Sequence, residues 1–237
     1  VLLAPASGSL IQAIAAAPGI AIGPAHIQVL QAIEYPLRGE SAAIERERLK
    51  LALTQVRQDI QGLIERSKAK AIREIFITHQ EMLDDPELTD EVDTRLKQGE
   101  SAEAAWMAVI EAAARQQEAL QDALLAERAA DLRDIGRRVL AQLCGIETPS
   151  EPDQPYILVM DEVGPSDVAR LDPARVAGIL TARGGATAHS AIVARALGIP
   201  ALVGAGAAVL LLAPGTPLVL DGQRGRLHVD GDAAALQ

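Results

Sequence analysis

The chain has 237 residues and a formal charge of -10, with 49% apolar and only 2% aromatic side chains. That length favours two domains over one, and Ala, Leu, Ile and Val must fill the cores, which suits close helix contact. The acidic balance excludes a nucleic-acid binder, because a phosphate backbone demands clustered Lys and Arg; a basic protein partner fits better.

The first seventeen residues are apolar, but no basic segment opens them and Pro5 and Gly8 interrupt them well short of a membrane span. Residues 1–17 therefore read as a linker remnant. The missing initiator Met agrees with a piece cut from a longer polypeptide. From Pro18 to Leu30 the run Pro18-Gly-Ile-Ala-Ile-Gly-Pro-Ala-His-Ile-Gln-Val-Leu alternates as one or two strands, with His26 a structural residue among them.

From Ser41 the period becomes helical for about a hundred residues. Leu49, Leu53, Val56, Ile60 and Leu63 recur at steps of four and three and define one buried stripe, with the charges of residues 45–50 mostly outside it. A second helix begins near Arg73 and buries Ile75, Phe76, Met82 and Leu83. Asp85 caps a third, with Pro86 at its first position, which ends near Gly99. Ser101 restarts the pattern with Trp106, Val109, Ala113, Leu120 and Leu124 on the buried face. A last helix over 130–144 buries Leu132, Ile135, Val139 and Leu143 and stops near Gly145. Cys144 is the single cysteine and reads as a buried, inert thiol in a reducing cytoplasm.

The run Glu147-Thr-Pro-Ser-Glu-Pro-Asp-Gln-Pro marks a return linker. Strands follow at 156–160, 176–180, 201–203, 217–220 and 226–229, with helical pieces at 166–171 and 189–197. This half is α/β. The early strands have no core of their own, so residues 18–37 should pair with 147–237 as one discontinuous domain, leaving 38–146 as an inserted all-α subdomain.

The chemistry centres on Thr181-Ala-Arg-Gly-Gly-Ala-Thr-Ala-His-Ser-Ala-Ile-Val-Ala-Arg-Ala-Leu-Gly-Ile-Pro-Ala-Leu-Val-Gly, in which a glycine pair leads to a histidine opening a short helix. A neutral ring nitrogen on His189 is a phosphoryl acceptor, and a helix start supplies free N–H groups and a positive dipole end for the incoming phosphate. Gly184 and Gly185 allow a tight turn. Arg183 and Arg195 flank the segment and either can offer charge-assisted contacts to phosphate. Thr187 can brace the loop or cap the helix, and Ser190 can act similarly. The plainer alternative is an ordinary turn with His189 a surface residue.

Three stretches together resemble the N-terminal phosphotransfer region of enzyme I, the phosphoenolpyruvate–protein phosphotransferase of the bacterial sugar phosphotransferase system. They are Pro18-Gly-Ile-Ala-Ile-Gly-Pro-Ala, the helix segment Glu127-Arg-Ala-Ala-Asp-Leu-Arg-Asp-Ile-Gly-Arg-Arg-Val-Leu, and the glycine–histidine segment above. The last is shared, with variations, by the mobile domains of pyruvate phosphate dikinase and phosphoenolpyruvate synthase. The resemblance implies an α/β swivelling phosphohistidine domain with an inserted helical subdomain. It also implies that His189 takes a phosphoryl group of phosphoenolpyruvate through Nε2 and passes it to a histidine of the phosphocarrier HPr. Ala186 stands where relatives often carry Arg, Ala188 and Ser190 replace small hydroxyl residues, and Val168 stands where a hydroxyl can hold the ring.

In that family the helical subdomain docks HPr, whose basic face would meet Glu74, Glu81, Asp84, Asp85 and Glu87. Phosphoenolpyruvate and Mg²⁺ belong to a C-terminal barrel of the same polypeptide, which also carries dimerisation, so a monomeric piece without a cofactor is expected here. Carrier domains fused upstream are a further expectation. The charged run 127–134 reads as salt bridges fixing the two subdomains, and His79 and His228 as structural residues. No spacing such as Cys-x-x-Cys or His-x-x-x-His predicts a metal site, and no Gly-x-x-x-x-Gly-Lys-Ser/Thr loop predicts ATP. Two rival readings are a mobile domain of a dikinase or synthase, and a regulatory module of the same fold that binds without phosphorylation.

Overall fold

The computed structural model describes residues 3–28, 33–120, 122–146, 152–169, 171–185 and 189–230. The chain forms two units, 1–31 with 150–237, and 32–149.

Among the described residues of the first unit eight strands form one sheet. They are β1 (Leu10–Gln12), β2 (Ile14–Ala17), β3 (Ile20–Ile27), β4 (Tyr156–Met160), β5 (Val176–Thr181), β6 (Ala201–Val203), β7 (Pro217–Asp221) and β8 (Arg226–Val229). Their spatial order is β1-β8-β7-β3-β4-β5-β6-β2. Strands β3, β4, β5 and β6 run parallel, whereas β7, β8 and the two outermost strands pair antiparallel. The outermost strands are consecutive in the chain, joined only by Ala13, whose N–H donates to the Gly225 carbonyl at 2.8 Å. The sheet therefore closes on itself.

Alternation along the strands explains the interior. Ala21, Ala25, Ile157, Val159, Leu180, Leu202, Leu218, Leu220, Leu227 and Val229 form one core cluster inside the closed sheet. The intervening residues of β5 and β6 point to the other face, where α6 (Pro165–Ala169) and α7 (His189–Leu197) pack. Parallel strands covered on both faces need near-continuous apolar sequence, and Tyr156-Ile-Leu-Val-Met is buried at all five positions.

This corrects the reading of residues 1–17 as a linker remnant. Leu10–Gln12 and Ile14–Ala17 are sheet strands, with Ala16 and Ala17 fully buried. Such short strands carry too little alternation to be legible alone. Gly222 lets this segment pass, since a Cβ there would lie 2.1 Å from the Ala17 carbonyl oxygen.

The described residues of the second unit form five helices: α1 (Ala42–Arg66), α2 (Lys70–Leu83), α3 (Pro86–Lys97), α4 (Ala102–Glu118) and α5 (Ala123–Leu143). Ser41, Asp85 and Ser101 cap α1, α3 and α4 through side-chain oxygens that accept backbone N–H bonds. The predicted apolar stripe of α1 is buried throughout. One boundary differs: α4 ends at Glu118 and Leu120 is exposed, because Asp122 accepts a bond from the Leu125 N–H at 3.2 Å and starts α5 seven residues before the expected 130. Cys144 is half-buried rather than buried, and desolvation with nearby Glu103 pushes its thiol pKa up.

The unit boundary lies at residue 32 rather than 38. Ser101 draws the preceding segment to the helices, its hydroxyl donating to the Pro36 carbonyl and its N–H to the Leu37 carbonyl at 3.2 Å, while Arg38 bridges to Glu100. Two charged residues are deeply buried beside it. Glu45, one of the charges read as lying outside the stripe, accepts from Ala102 N–H at 2.8 Å and from Arg48 at 2.8 Å, and Arg48 also holds buried Glu103.

The charged run 127–134 clasps helices within this unit, a correction to its expected role between subdomains. Arg133 of α5 binds Glu111 and Glu118 of α4, and Asp131 and Asp134 flank His79 of α2 at 3.2 and 3.7 Å. His79 is completely buried, with Phe76 edge-on to its ring at a centroid distance of 5.5 Å. Gly136 in the same run brings α4 close: a Cβ there would meet Ile110 Cγ2 at 2.7 Å, and the Trp106 indole N–H donates to the Gly136 carbonyl at 3.1 Å.

Candidate functional site

The site is built at the carboxyl end of the parallel strand β5. Beyond Thr181 the chain stays tied to its neighbours. Ala182 and Arg183 donate to the Met160 and Asp161 carbonyls at 2.9 Å each, while Ala205 and Gly206 donate to Thr181 and Ala182 at 3.0 and 2.9 Å. Gly184 then adopts φ +113°, a conformation that only glycine takes without strain, and its carbonyl lies against Gly204, itself at φ +66°. Gly185 has open space around its Cα, so a side chain would fit there.

His189 is the first residue of α7 and is partly exposed. The next residue, Ser190, lines a small gap beneath the helix with Val163, Val168, Thr181, Ala191 and Ala194. This places Val168, buried in α6, in the wall under the histidine's helix. Ala186, Thr187 and Ala188 lie outside the described residues, and with them the capping or bracing role expected of Thr187.

The two arginines have other partners. Arg183 is exposed and forms a forked pair with Asp161 at 3.0 and 2.6 Å, with Glu162 at 3.9 Å. The Asp161 carboxylate beside it raises the pKa of its guanidinium. Arg195 donates to the Ala16 carbonyl at 2.6 Å and so anchors α7 to β2. It sits six residues beyond His189, about 9 Å along the helix axis and on another face. The expected phosphate contacts of both arginines therefore stand beside an established ion pair and a strand anchor.

The acidic residues group on α2 and its turn into α3. Glu74, Glu81, Asp84 and Glu87 are exposed, and Ile77 lies exposed on the same stripe as Glu74 and Glu81. Three of the five also serve the fold: Glu74 pairs with Lys70 at 3.4 Å, Asp84 with Arg57 at 2.7 Å, and Asp85 is the α3 cap. Thr181, which sequence reading placed just past the strand as the first residue of the motif and gave no role, is a further residue of the site. A hydroxyl at the end of a strand, three residues before a glycine pair, was its one sequence signal.

Comparison with known proteins fits this architecture in both units. The family of PEP-utilising enzymes matches twice, its N-terminal region over residues 12–128 and its mobile domain over residues 152–225. A solved structure of enzyme I (nEIt) superposes with a TM-score of 0.73 at 32% identity, covering 95% of each chain. The chain belongs to the enzyme I N-terminal domain family. The N-terminal domain of "Enzyme 1 - Nitrogen" is also similar, at a TM-score of 0.65 and 35% identity, covering 96% of each chain.

Among curated proteins, the multiphosphoryl transfer protein of Rhodobacter capsulatus is 40% identical over 94% of this chain, and the phosphoenolpyruvate-dependent phosphotransferase system protein of Escherichia coli 37% identical over 96%. The chain spans 27% and 31% of their respective lengths. The family membership bears out the expected fold class, an α/β domain with an inserted helical subdomain. Among the described residues no helix is long and apolar enough to cross a membrane.

Proposed function

We propose that this chain carries a phosphoryl group on His189 and exchanges it with HPr in a sugar phosphotransferase system. The observation that carries the reading is the position of His189, first residue of a nine-residue helix reached from a parallel strand through the left-handed Gly184. Free N–H groups at such a helix start favour the negative charge a phosphoryl group brings, by roughly 0.3–1 kcal/mol at an exposed site. The family supports the same assignment, since its mobile domain covers this segment.

In the exchange an unprotonated His189 nitrogen, Nε2 by the family resemblance, attacks phosphorus in line. The P–N bond to the donor histidine breaks as the new P–N bond forms, and each ring keeps the proton on its other nitrogen. The helical unit docks the partner, its acidic stripe on α2 with exposed Ile77 receiving a basic, partly apolar face. The phosphoenolpyruvate site with its Mg²⁺, and the dimer contact, belong to a C-terminal barrel of a longer protein; among the described residues no three His, Cys, Asp or Glu side chains converge to hold a metal ion.

The test is to mix the chain with phosphorylated HPr and look for phosphohistidine on the intact polypeptide, with His189→Ala beside it. Label on the parent chain and none on the variant is expected; label that survives the substitution overturns the mechanism. Saturable binding without transfer identifies a regulatory module, and neither binding nor transfer identifies a dikinase-like mobile domain. Glu81→Lys with Glu87→Lys should weaken HPr binding at low salt and leave helix content unchanged.

A further inference from the structure

Thr181 is almost completely buried, at 3% exposure, on the helix-facing side of β5. Its surroundings are apolar: Val163, Val168, Ile179, Ala191, Ala194, Ala201 and Val203 line the same space, with Ser190 the other hydroxyl. A valine has the shape of threonine and would suit that wall better, because a buried hydroxyl loses its hydration and regains only what its hydrogen bond returns. The bond it makes is directed at the loop. Oγ1 donates to the Arg183 carbonyl at 2.6 Å, two residues along the chain.

That bond closes the turn at the point where the tied backbone ends. Ala182 and Arg183 are held through their N–H groups by β4's extension, and Gly184 immediately reverses direction at φ +113°. The Arg183 carbonyl belongs to the peptide unit that enters Gly184, so its orientation sets the direction in which the chain leaves toward His189. From the other side Thr181 lies under α7, beside Ser190 and Ala191, the residues that follow the histidine. One side chain thus bonds to the start of the segment that presents the ring and shares a gap with the residues at its end.

We propose that Thr181 is a positioning residue for His189, its hydroxyl fixing the turn that aims the imidazole at the phosphoryl donor. This rests on the phosphohistidine reading above. Misplacing a nucleophile by a fraction of its approach distance costs rate without costing binding, because the partner docks elsewhere.

The experiment compares Thr181→Val, Thr181→Ser and the parent chain. Single-turnover transfer from phosphorylated HPr should fall about tenfold in Thr181→Val, with the HPr affinity and the melting temperature unchanged or the latter raised, and should recover in Thr181→Ser. Amide hydrogen exchange at Gly184, Gly185 and His189 should quicken in Thr181→Val alone. Unaltered exchange there, or quickened exchange with unaltered transfer, overturns the proposal. Absence of transfer in the parent chain overturns the phosphohistidine reading instead, and the exchange comparison still decides whether the hydroxyl fixes the turn.

Discussion

Among single residues, glycines at two points do more for the site than the pair that first marks it. Gly184 is required by its backbone, whereas Gly185 has room for a side chain. Gly204, twenty residues on, matters more than its place at the end of the motif suggests. It combines φ +66° with contacts of 3.2 Å to Ile14 and 3.3 Å to the Gly184 carbonyl for any added Cβ. Gly204→Ala should therefore cost about 1–2 kcal/mol from its left-handed backbone alone, and should displace Gly184, so that transfer slows along with a lower melting temperature. Calorimetry and single-turnover transfer check it; a variant as stable and as fast as the parent chain refutes the contact. The histidine was legible as a candidate because residue type, glycine turn and helix start stand next to one another in the chain. The contact between Gly184 and Gly204 was not, since only the pairing of β5 with β6 brings the two together.

At the scale of elements, periodicity found the helices and missed what caps and charges do. Leu49, Leu53, Val56, Ile60 and Leu63 lie where spacing puts them, but Glu45, one turn earlier, is 2% exposed. Amphipathic reading assigns a carboxylate to solvent; here backbone N–H groups from outside α1 make burial tolerable. Burial alone would raise the Glu45 pKa, but bonds from the Ala102 and Glu40 N–H groups and from Arg48 outweigh it and hold it below the ordinary glutamate range. The sign follows: a carboxylate depressed in the folded state stabilises the helices above its unfolded pKa, about 4.3, and this contribution is lost as pH falls through the folded value. Glu111 is depressed as well, by the Arg133 hydrogen bond first, against burial. Stability of the helical unit should thus fall between about pH 4.3 and lower values, and Glu45→Gln should flatten that fall while lowering stability at pH 7. Denaturant titrations at several pH values measure both; an unchanged pH slope removes Glu45 from the account. The start of α5 was hidden for a related reason, because Leu120 and Leu124 continue the previous helix's spacing across Asp122, whose cap bond marks the new start.

For the whole molecule, the division into two units with separate cores means that a lesion in one should leave the other folded. The inserted helices were legible as an insertion because the strands on either side of them lack a core until they meet. The closure of the sheet was not, because Ile14–Ala17 and Ala201–Val203 are short and far apart in sequence. Gly222 is the sharpest place to test the division. A Cβ there would stand 2.1 Å from the Ala17 carbonyl oxygen and 3.1 Å from that of Gly19, and both carbonyls belong to backbone that pairing holds in place. Neither can swing aside as a side chain would, so Gly222→Ala must separate the segment ahead of β3 from the β7–β8 turn. Opening the closed sheet exposes its core to water, a loss comparable with the 5–15 kcal/mol that holds a typical domain together. The α/β unit should then lose its dispersed amide spectrum and its phosphoryl transfer, while the helical unit keeps both its amide dispersion and saturable HPr binding. Loss of HPr binding along with transfer would mean that the helices depend on the sheet for their fold, and the proposed docking and phosphoryl-carrying roles would belong to one cooperative body instead of two.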